Sequence, residues 1–157
     1  MKILGIDPGT HRIGWGVIEK SGSKAIHLAS GTIELPPYTL ESSYLPTLYD
    51  AITSLLQTHC PDLVAIEKVF FQTNLKTATT VAQGRGVILL AIAQSHTPFV
   101  EFSPNTIKSA IAGDGSADKS AITRMISLIL KLDTKTMLDD TCDALATALT
   151  ASTNHQV

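Results

Sequence analysis

Apolar and β-prone positions dominate the first 35 residues and predict three β-strands. Residues 2–7 form a short apolar run that ends at Pro8-Gly9-Thr10, a typical turn signal. Residues 13–19 continue with apolar and β-prone side chains, so the two runs together predict a β-hairpin. A third strand is predicted over residues 25–35.

Apolar positions three and four residues apart then predict an amphipathic helix that ends near Cys60-Pro61. These positions are Leu45, Leu48, Tyr49, Ile52, Leu55 and Leu56. The remaining predicted elements are strands over residues 63–69 and 98–102 and helices over residues 74–94, 105–112, 116–132 and 138–152. This order predicts an α/β fold with a mixed five-stranded sheet, in which three antiparallel strands precede parallel strands that are reached through helical crossovers. Helices flank the sheet.

The long helix predicted over residues 74–94 is unusually apolar. Arg85 is its only charged residue after Lys76. Because such a helix is too apolar for a solvated surface, we expect it to be buried, either in the core or against a partner chain.

The composition predicts one compact globular domain over residues 1–157. Hydrophobic residues make up 44% of the chain and charged residues 17%, which argues against intrinsic disorder. The formal net charge of −2, taken over the whole chain, does not suggest a basic nucleic-acid binder.

Cysteine usage and hydropathy indicate a reduced, cytoplasmic location. Cys60 and Cys142 have no C-x-x-C spacing and are too few for a disulfide framework, and we expect both to be buried. The N-terminal apolar run is too short for a signal peptide, and the charge-free stretch 86–100 is too short to cross a bilayer, so no membrane association is expected.

Two predicted strands end in a carboxylate. Asp7 closes the first strand and Glu67 closes the apolar run of the fourth. Because ligand sites in α/β sheets lie outside the carboxyl ends of parallel strands, we expect Asp7 and Glu67 to be neighbours in a cleft. If both carboxylates are buried there without partners, a nearby cation is needed to offset the cost of burying their charge. The alternative is that each carboxylate reaches a solvated loop.

The last predicted helix adds three more acids, Asp139, Asp140 and Asp143. At about 100° per residue, Asp140 and Asp143 lie about 60° apart on the helix surface, and Asp139 and Asp143 about 40° apart, so either pair could hold one metal ion. Asp139 could equally cap the helix, whereas Asp143 lies about one turn inside it. Asp143 is therefore the harder of the three to explain as a cap.

Carboxylates without His or Cys predict a hard metal ion, Mg²⁺ or Mn²⁺, rather than zinc. Two such ions about 3.5 to 4 Å apart are a common device for phosphodiester hydrolysis, in which one activates water and the other stabilises the leaving oxygen. The charge distribution agrees with a polyanionic substrate. Residues 68–135 hold eight Lys and Arg against four acids, a net +4, and the remainder is −6.

Several motifs resemble those of the RuvC family of Holliday junction resolvases. The opening run 3–10 and the run 14–18 are similar to that family's first motif, and residues 65–70 resemble its second acidic strand. Residues 83–86 resemble the centre of its long helix and residues 115–120 a basic loop. Residues 140–146 resemble its closing pair of acids, which selects Asp140 with Asp143 and leaves Asp139 outside the motif.

The resemblance implies an RNase H-like fold and a homodimer that nicks two opposed strands of a four-way DNA junction in recombination and repair. It implies Asp7, Glu67, Asp140 and Asp143 as catalytic ligands of Mg²⁺, two ions per site, with Mn²⁺ as a substitute. It also implies ligatable 5′-phosphate and 3′-hydroxyl ends, and partnership with the branch-migration proteins RuvA and RuvB.

The resemblance further implies DNA-contacting residues. Phe70 matches an aromatic that stacks on bases near the crossover, and Arg85 lies in the matched helix centre. Lys108 and Lys119 match lysines near the scissile phosphate, where a fixed cation offsets developing charge. The chain departs from the family pattern at residues 71–73, where a further basic residue is expected, and it has no long basic tail.

Two other function classes are compatible with parts of the sequence. The run 5–10 also resembles the first phosphate loop of actin-like and sugar-kinase ATPases, but 157 residues do not supply their second lobe. Gly113 to Ser120 is not a P-loop, because Asp118 stands where glycine should precede Lys119. The remaining alternative is a junction-binding domain whose acids only cap and solvate.

Overall fold

A computed structural model of the chain describes residues 1–9, 11–35, 41–68 and 75–154. It contains a mixed five-stranded sheet with the strand order β3-β2-β1-β4-β5. The strands are β1 (Lys2–Asp7), β2 (Arg12–Ser21), β3 (Lys24–Glu34), β4 (Leu63–Glu67) and β5 (Phe99–Phe102). β2 pairs antiparallel with β1 and β3, while β4 pairs parallel with β1 and β5. The predicted sheet is therefore confirmed.

Helices cover both faces of this sheet. They are α1 (Glu41–His59), α2 (Leu75–Gln94), α3 (Pro104–Ala112), α4 (Lys119–Leu130) and α5 (Asp139–Asn154), with a 3₁₀ turn at Thr134–Thr136 before α5. Ile3 belongs to the hydrophobic cluster shared with α3, α4 and α5, and the next residue, Leu4, to the cluster shared with α1 and α2. Because β1 is buried on both faces, its sequence is a continuous apolar run rather than an alternating one.

Two glycines allow α5 to lie directly on the sheet. A Cβ at Gly5 would collide with the backbone carbonyl of Ala144, and a Cβ at Gly14 would collide with that of Asp140. The missing side chains bring the first turn of α5 next to the ends of β1 and β2. This approach places the acids of α5 beside the acid that closes β1.

The ends of α4 differ from the prediction for local reasons. Residues 116–118 are not helical, because the Asp118 side chain caps the helix by accepting a hydrogen bond of 2.7 Å from the Ala121 amide. The helix ends at Leu130 because Lys131 adopts a left-handed conformation with φ of 55°. As a result Lys119 is the first residue of α4.

β4 is shorter than predicted. α2 is described from Leu75, and residue 74, where its start was predicted, lies outside the described residues. β4 ends at Glu67, and the following Lys68 amide bonds to the Phe102 carbonyl at 2.8 Å. The predicted continuation of the strand to residue 69 lies outside the described residues. Glu67 nevertheless closes the strand, as the sequence predicted.

Burial departs from prediction at two places. Cys142 is buried as expected, but Cys60 is exposed, because it follows the last turn of α1 with φ of 45° and its Sγ points to the Gln57 carbonyl. The prediction that α2 is buried in the core is correct for one face of the helix only. Ile88 and Ile92 are buried, whereas Leu90 is 50% exposed in the single chain. Among the described residues, no helix is both long and apolar enough to span a membrane.

Candidate active site

The carboxyl ends of β1 and β4 bring the two strand-end acids together. In the parallel register Ile6 is opposite Ile66, so Asp7 and Glu67 follow side by side. Each strand is held from both sides, because β1 lies between β2 and β4, and β4 lies between β1 and β5. Asp7 and Glu67 therefore project from a rigid part of the sheet, at the edge where sequence analysis expected a cleft.

The first turn of α5 adds Asp140 and Asp143 to this edge. Asp7 pairs in register with Gly14, the residue against which the Asp140 backbone rests. The other three predicted acids all act on Asp7, since Glu67, Asp143 and Asp140 each raise its pKa. The structure thus assembles the acids from two strands and one helix.

Burial and repulsion between neighbouring carboxylates raise the pKa values of Asp7, Glu67 and Asp143 in the metal-free protein. Desolvation, followed by the charges of Glu67, Asp143 and Asp140, raises the pKa of Asp7 to about 8. Desolvation and the charge of Asp143 raise the pKa of Glu67 to about 7. The pKa of Asp143 is also raised, by desolvation, although Lys119 opposes this shift.

Two cations contact the acids of α5. The Lys119 Nζ lies 3.1 Å from an Asp143 oxygen and 3.3 Å from an Asp139 oxygen, and the Arg12 Nε lies 3.4 Å from an Asp140 oxygen. Burial would lower the pKa of Lys119, but its hydrogen bonds to Asp143 and Asp139 and their charges raise it. Lys119 is therefore held as a cation beside the acids.

A pocket of about 220 Å³ opens beside the acids. Glu67 and Asp143 line it from one side, and Lys108 of α3 and Lys119 of α4 line it as well. Pro104, Ile107 and Ile122 complete the lining. The pocket therefore presents two acids and two cations to the same small volume, where a phosphate group could meet both metal ligands and fixed positive charge.

The donor chemistry of the four acids fits a hard divalent cation. All potential ligands are carboxylate oxygens, and within the described residues neither Asp7 nor Glu67 makes a salt bridge or a side-chain hydrogen bond. Desolvation raises the pKa of both carboxylates, and Glu67 raises that of Asp7 further, so a bound cation would favour their ionised forms. Over the part of the chain that is described, no three His, Cys, Asp or Glu side chains are placed closely enough to hold an ion together in this conformation. Lys119 and Arg12 hold Asp143 and Asp140 in the salt bridges with which a metal would compete.

The other residues predicted from the sequence are not all in this pocket. Phe70 lies outside the described residues, as do residues 71–73. Arg85 of α2 forms a salt bridge with Glu101 of β5, and both side chains are largely covered. For Asp139, sequence analysis left two roles open, capping the helix or binding metal. In the structure its side chain forms a salt bridge with Lys119.

Arg12 contacts one of the four predicted acids, and sequence analysis did not single it out. It begins β2, in register with Glu34 of β3, and its guanidinium turns to Asp140. The only sequence signal was a basic residue shortly after the turn that follows Asp7. That signal could not identify its partner, because Asp140 is 128 residues further along the chain.

Comparison with known proteins gives consistent similarities over nearly the whole chain. A family model described as crossover junction endodeoxyribonuclease RuvC matches residues 3–151. The protein of that name from Thermosipho melanesiensis is 43% identical over 148 residues, which cover 94% of each chain. The one from Gloeobacter violaceus is 44% identical over 156 residues, covering 99% of this chain and 90% of the relative.

Solved structures agree in fold. The structure of T. thermophilus RuvC in complex with Holliday junction substrate matches with a TM-score of 0.90 and 30% identity, covering 97% of this chain and 93% of that one. The yeast mitochondrial Holliday junction resolvase Ydc2, at 15% identity, matches with a TM-score of 0.71, covering 96% of this chain and 78% of its own. The architecture described above is the RNase H-like fold.

Proposed function

Because the chain belongs to the RuvC family and is a crossover junction endodeoxyribonuclease, we propose that Asp7, Glu67, Asp140 and Asp143 form the metal site at which it cuts four-way DNA junctions. The supporting observation is the convergence of these acids beside a pocket that Lys108 and Lys119 also line. Family membership over residues 3–151 also means that the ATPase interpretation of the run 5–10 is wrong.

Nucleases of this family depend on divalent metal ions. We propose Mg²⁺ as the physiological ion, two per site, with Mn²⁺ as a substitute. When bound, the ions supply water activation and stabilisation of the leaving oxygen. Asp7 stands nearest the centre of the set, since the other three acids all act on its pKa.

The protein's own side chains orient the scissile phosphate. Lys108 and Lys119 flank the pocket from two different helices, so they can contact phosphate oxygens while Asp7 and Glu67 approach from the sheet. Their fixed positive charge offsets the negative charge that develops as the water oxygen bonds to phosphorus and the bond from phosphorus to the 3′ oxygen breaks. The products are a 5′-phosphate and a 3′-hydroxyl.

We propose that the protein acts as a homodimer, since paired symmetric nicks need two sites and residues 1–157 form one nuclease domain. The exposed face of α2, with Leu90 half exposed, supports this.

Phe70 is proposed to stack on bases near the crossover, and Arg85 to contact DNA from α2. The branch-migration proteins RuvA and RuvB are proposed partners, in the cytoplasm where chromosomal DNA is found.

A synthetic four-way junction tests the function directly. With Mg²⁺ the protein should nick two opposed strands symmetrically and leave a linear duplex of the same sequence largely intact. Equal cutting of the linear duplex would replace junction resolution by general nuclease activity. Junction binding without cleavage, under conditions where Mg²⁺ and Mn²⁺ are both supplied, would favour the non-catalytic junction-binding alternative.

A further inference from the structure

A second groove leads away from the active-site pocket along α4. It has a volume of about 530 Å³ and lies between α4 and the segment 133–139, and we call it the α4 groove. Lys119 lines both this groove and the active-site pocket. The two depressions therefore adjoin at Lys119, the cation proposed to contact the scissile phosphate.

The acidic residues in the α4 groove are already engaged. The Asp133 side chain accepts a hydrogen bond of 3.1 Å from the Lys135 amide and so caps the 3₁₀ turn. Asp139 pairs with Lys119 at 3.3 Å. Neither carboxylate is paired with a further cation of the groove.

Two cations of the α4 groove remain available. Arg124, on α4, and Lys135, in the 3₁₀ turn, are both exposed, and neither forms a salt bridge with any residue that the structure describes. Ser120 and Thr134 also line the groove, and their hydroxyl groups make no hydrogen bond within the described ranges. The groove thus offers two free positive charges and two free hydroxyl donors next to Lys119, which also lines the active-site pocket.

We propose that the α4 groove binds the phosphodiester backbone of the DNA strand next to the phosphate that is cut, with Arg124 and Lys135 each contacting a phosphate. The inference rests on the proposed function, because it takes the substrate and the position of the scissile phosphate from it. Phosphate contacts of this kind fix the register of the strand without reading its sequence. The α4 groove is therefore a positioning surface, and the basic side chains in it supply part of the electrostatic affinity.

Junction binding in Ca²⁺ or without metal tests the groove. The variants are Arg124→Ala, Lys135→Ala and their combination. The matched control is Lys24→Ala, which removes one exposed charge at the β2–β3 turn, at the end of the sheet opposite the strand end that Asp7 occupies. Each single groove variant should reduce the slope of log affinity against log salt by about 1 and the double variant by about 2, and Lys24→Ala should leave it unchanged. At about 50 mM salt the wild-type protein should bind the junction more tightly than the double variant does. The ratio of the two affinities should fall about tenfold when the salt is raised to about 200 mM.

The result that would overturn the proposal is a double variant with the affinity and salt slope of Lys24→Ala, while circular dichroism shows that all variants are folded. A second overturning result is slower single-turnover cleavage at saturating protein with unchanged binding, since that would assign the two cations to the chemical step. Wild-type cleavage of the junction is measured in parallel. If the wild-type protein does not cut junctions selectively, the proposed function fails; if it does and the variants bind normally, only the groove proposal fails.

Discussion

Asp7 is the residue at which folding and function conflict most directly. It closes β1 in a buried position, and three neighbouring acids raise its pKa further. A protein selected for stability alone would gain by replacing it with a neutral side chain of the same shape. The proposed metal site accounts for its presence, because a bound cation would favour the charged carboxylate. A variant that removes this charge tests folding and function separately.

Asp7→Asn should abolish metal-dependent junction cleavage, by at least about a hundredfold, because it removes a ligand charge at the centre of the acidic set. Junction binding should be retained, since the basic side chains are untouched. Gel-shift and cleavage assays on one junction measure both effects. Asp50→Asn, the same chemical change at an exposed position of α1, is the control and should cut normally. An Asp7→Asn protein that cuts at the wild-type rate would refute the metal-site assignment.

Asp139 acts on the site through Lys119. Its side chain is 75% exposed, so its salt bridge contributes no more than about 1 kcal/mol, and we expect Asp139→Asn to slow single-turnover cleavage by at most about fivefold. Lys119→Ala should slow it by about a hundredfold. In the Lys119→Ala background, Asp139→Asn should have no further effect, which a double-mutant cycle measures. Equal and additive losses would indicate that Asp139 acts independently of Lys119.

At the scale of elements, helix termini decide where the charged groups of the site lie. Asp118 caps α4 and makes Lys119 its first residue, while the glycines under α5 bring Asp140 to the sheet. Each device is local, yet together they place Lys119 in the pocket with Glu67 and Asp140 beside the strand end that carries Asp7. The outer face of α2, in contrast, is an element surface that has no partner within the described part of the chain.

Leu90→Glu should dissociate the proposed dimer, because it places a charge in the exposed apolar face of α2. Sedimentation velocity should show a wild-type dimer and a monomeric variant. The variant should also lose paired nicking of the junction. Leu128→Glu on α4, where the leucine is 65% exposed, is the matched control and should leave the dimer intact. A Leu90→Glu protein that remains dimeric would place the interface elsewhere.

At the scale of the whole molecule, a net charge of −2 conceals two regions of opposite sign. The four proposed ligands belong to the acidic part, and two bound divalent ions would bring the formal charge to +2. The protein is therefore expected to bind DNA as a metal complex with a basic surface. The same arrangement makes the stability of the metal-free protein depend on pH.

The metal-free protein should lose stability as the pH rises from about 4 to about 8. In this range the unfolded chain has released the Asp7 proton, whose ordinary pKa is 3.8, whereas the folded protein keeps it until about 8. Because the folded state binds more protons, the free energy of unfolding falls with rising pH. Glu67, with its pKa raised to about 7, acts in the same direction.

Thermal unfolding in a chelator, from about pH 5 to about pH 8, measures this loss. Asp7→Asn should flatten the pH dependence and be more stable than the wild-type protein at the upper end. Mg²⁺ should raise the wild-type Tm at about pH 8 and raise that of Asp7→Asn less. Parallel pH curves for the two proteins would contradict the burial and repulsion argued for Asp7.

Much of the fold could be read from local patterns. The strand order along the chain, the mixed sheet and the positions of Asp7 and Glu67 at strand ends all follow from runs of apolar residues bounded by turn signals. The predicted ends of α4 were less accurate, because capping by Asp118 and the left-handed conformation of Lys131 end the helix inside the stretch whose pattern is helical.

What the sequence by itself determined is which residue types close each element, and hence which acids reach the edge of the sheet. Only the tertiary structure decided which charges meet there: Lys119 with Asp139 and Asp143, Arg12 with Asp140, and Arg85 with Glu101. It also decided that Cys60 is exposed and that α2 keeps an apolar face outward. The physical reason is that hydrophobic period and turn chemistry act over a few residues, whereas a salt bridge depends on side-chain atoms that packing brings together from distant parts of the chain.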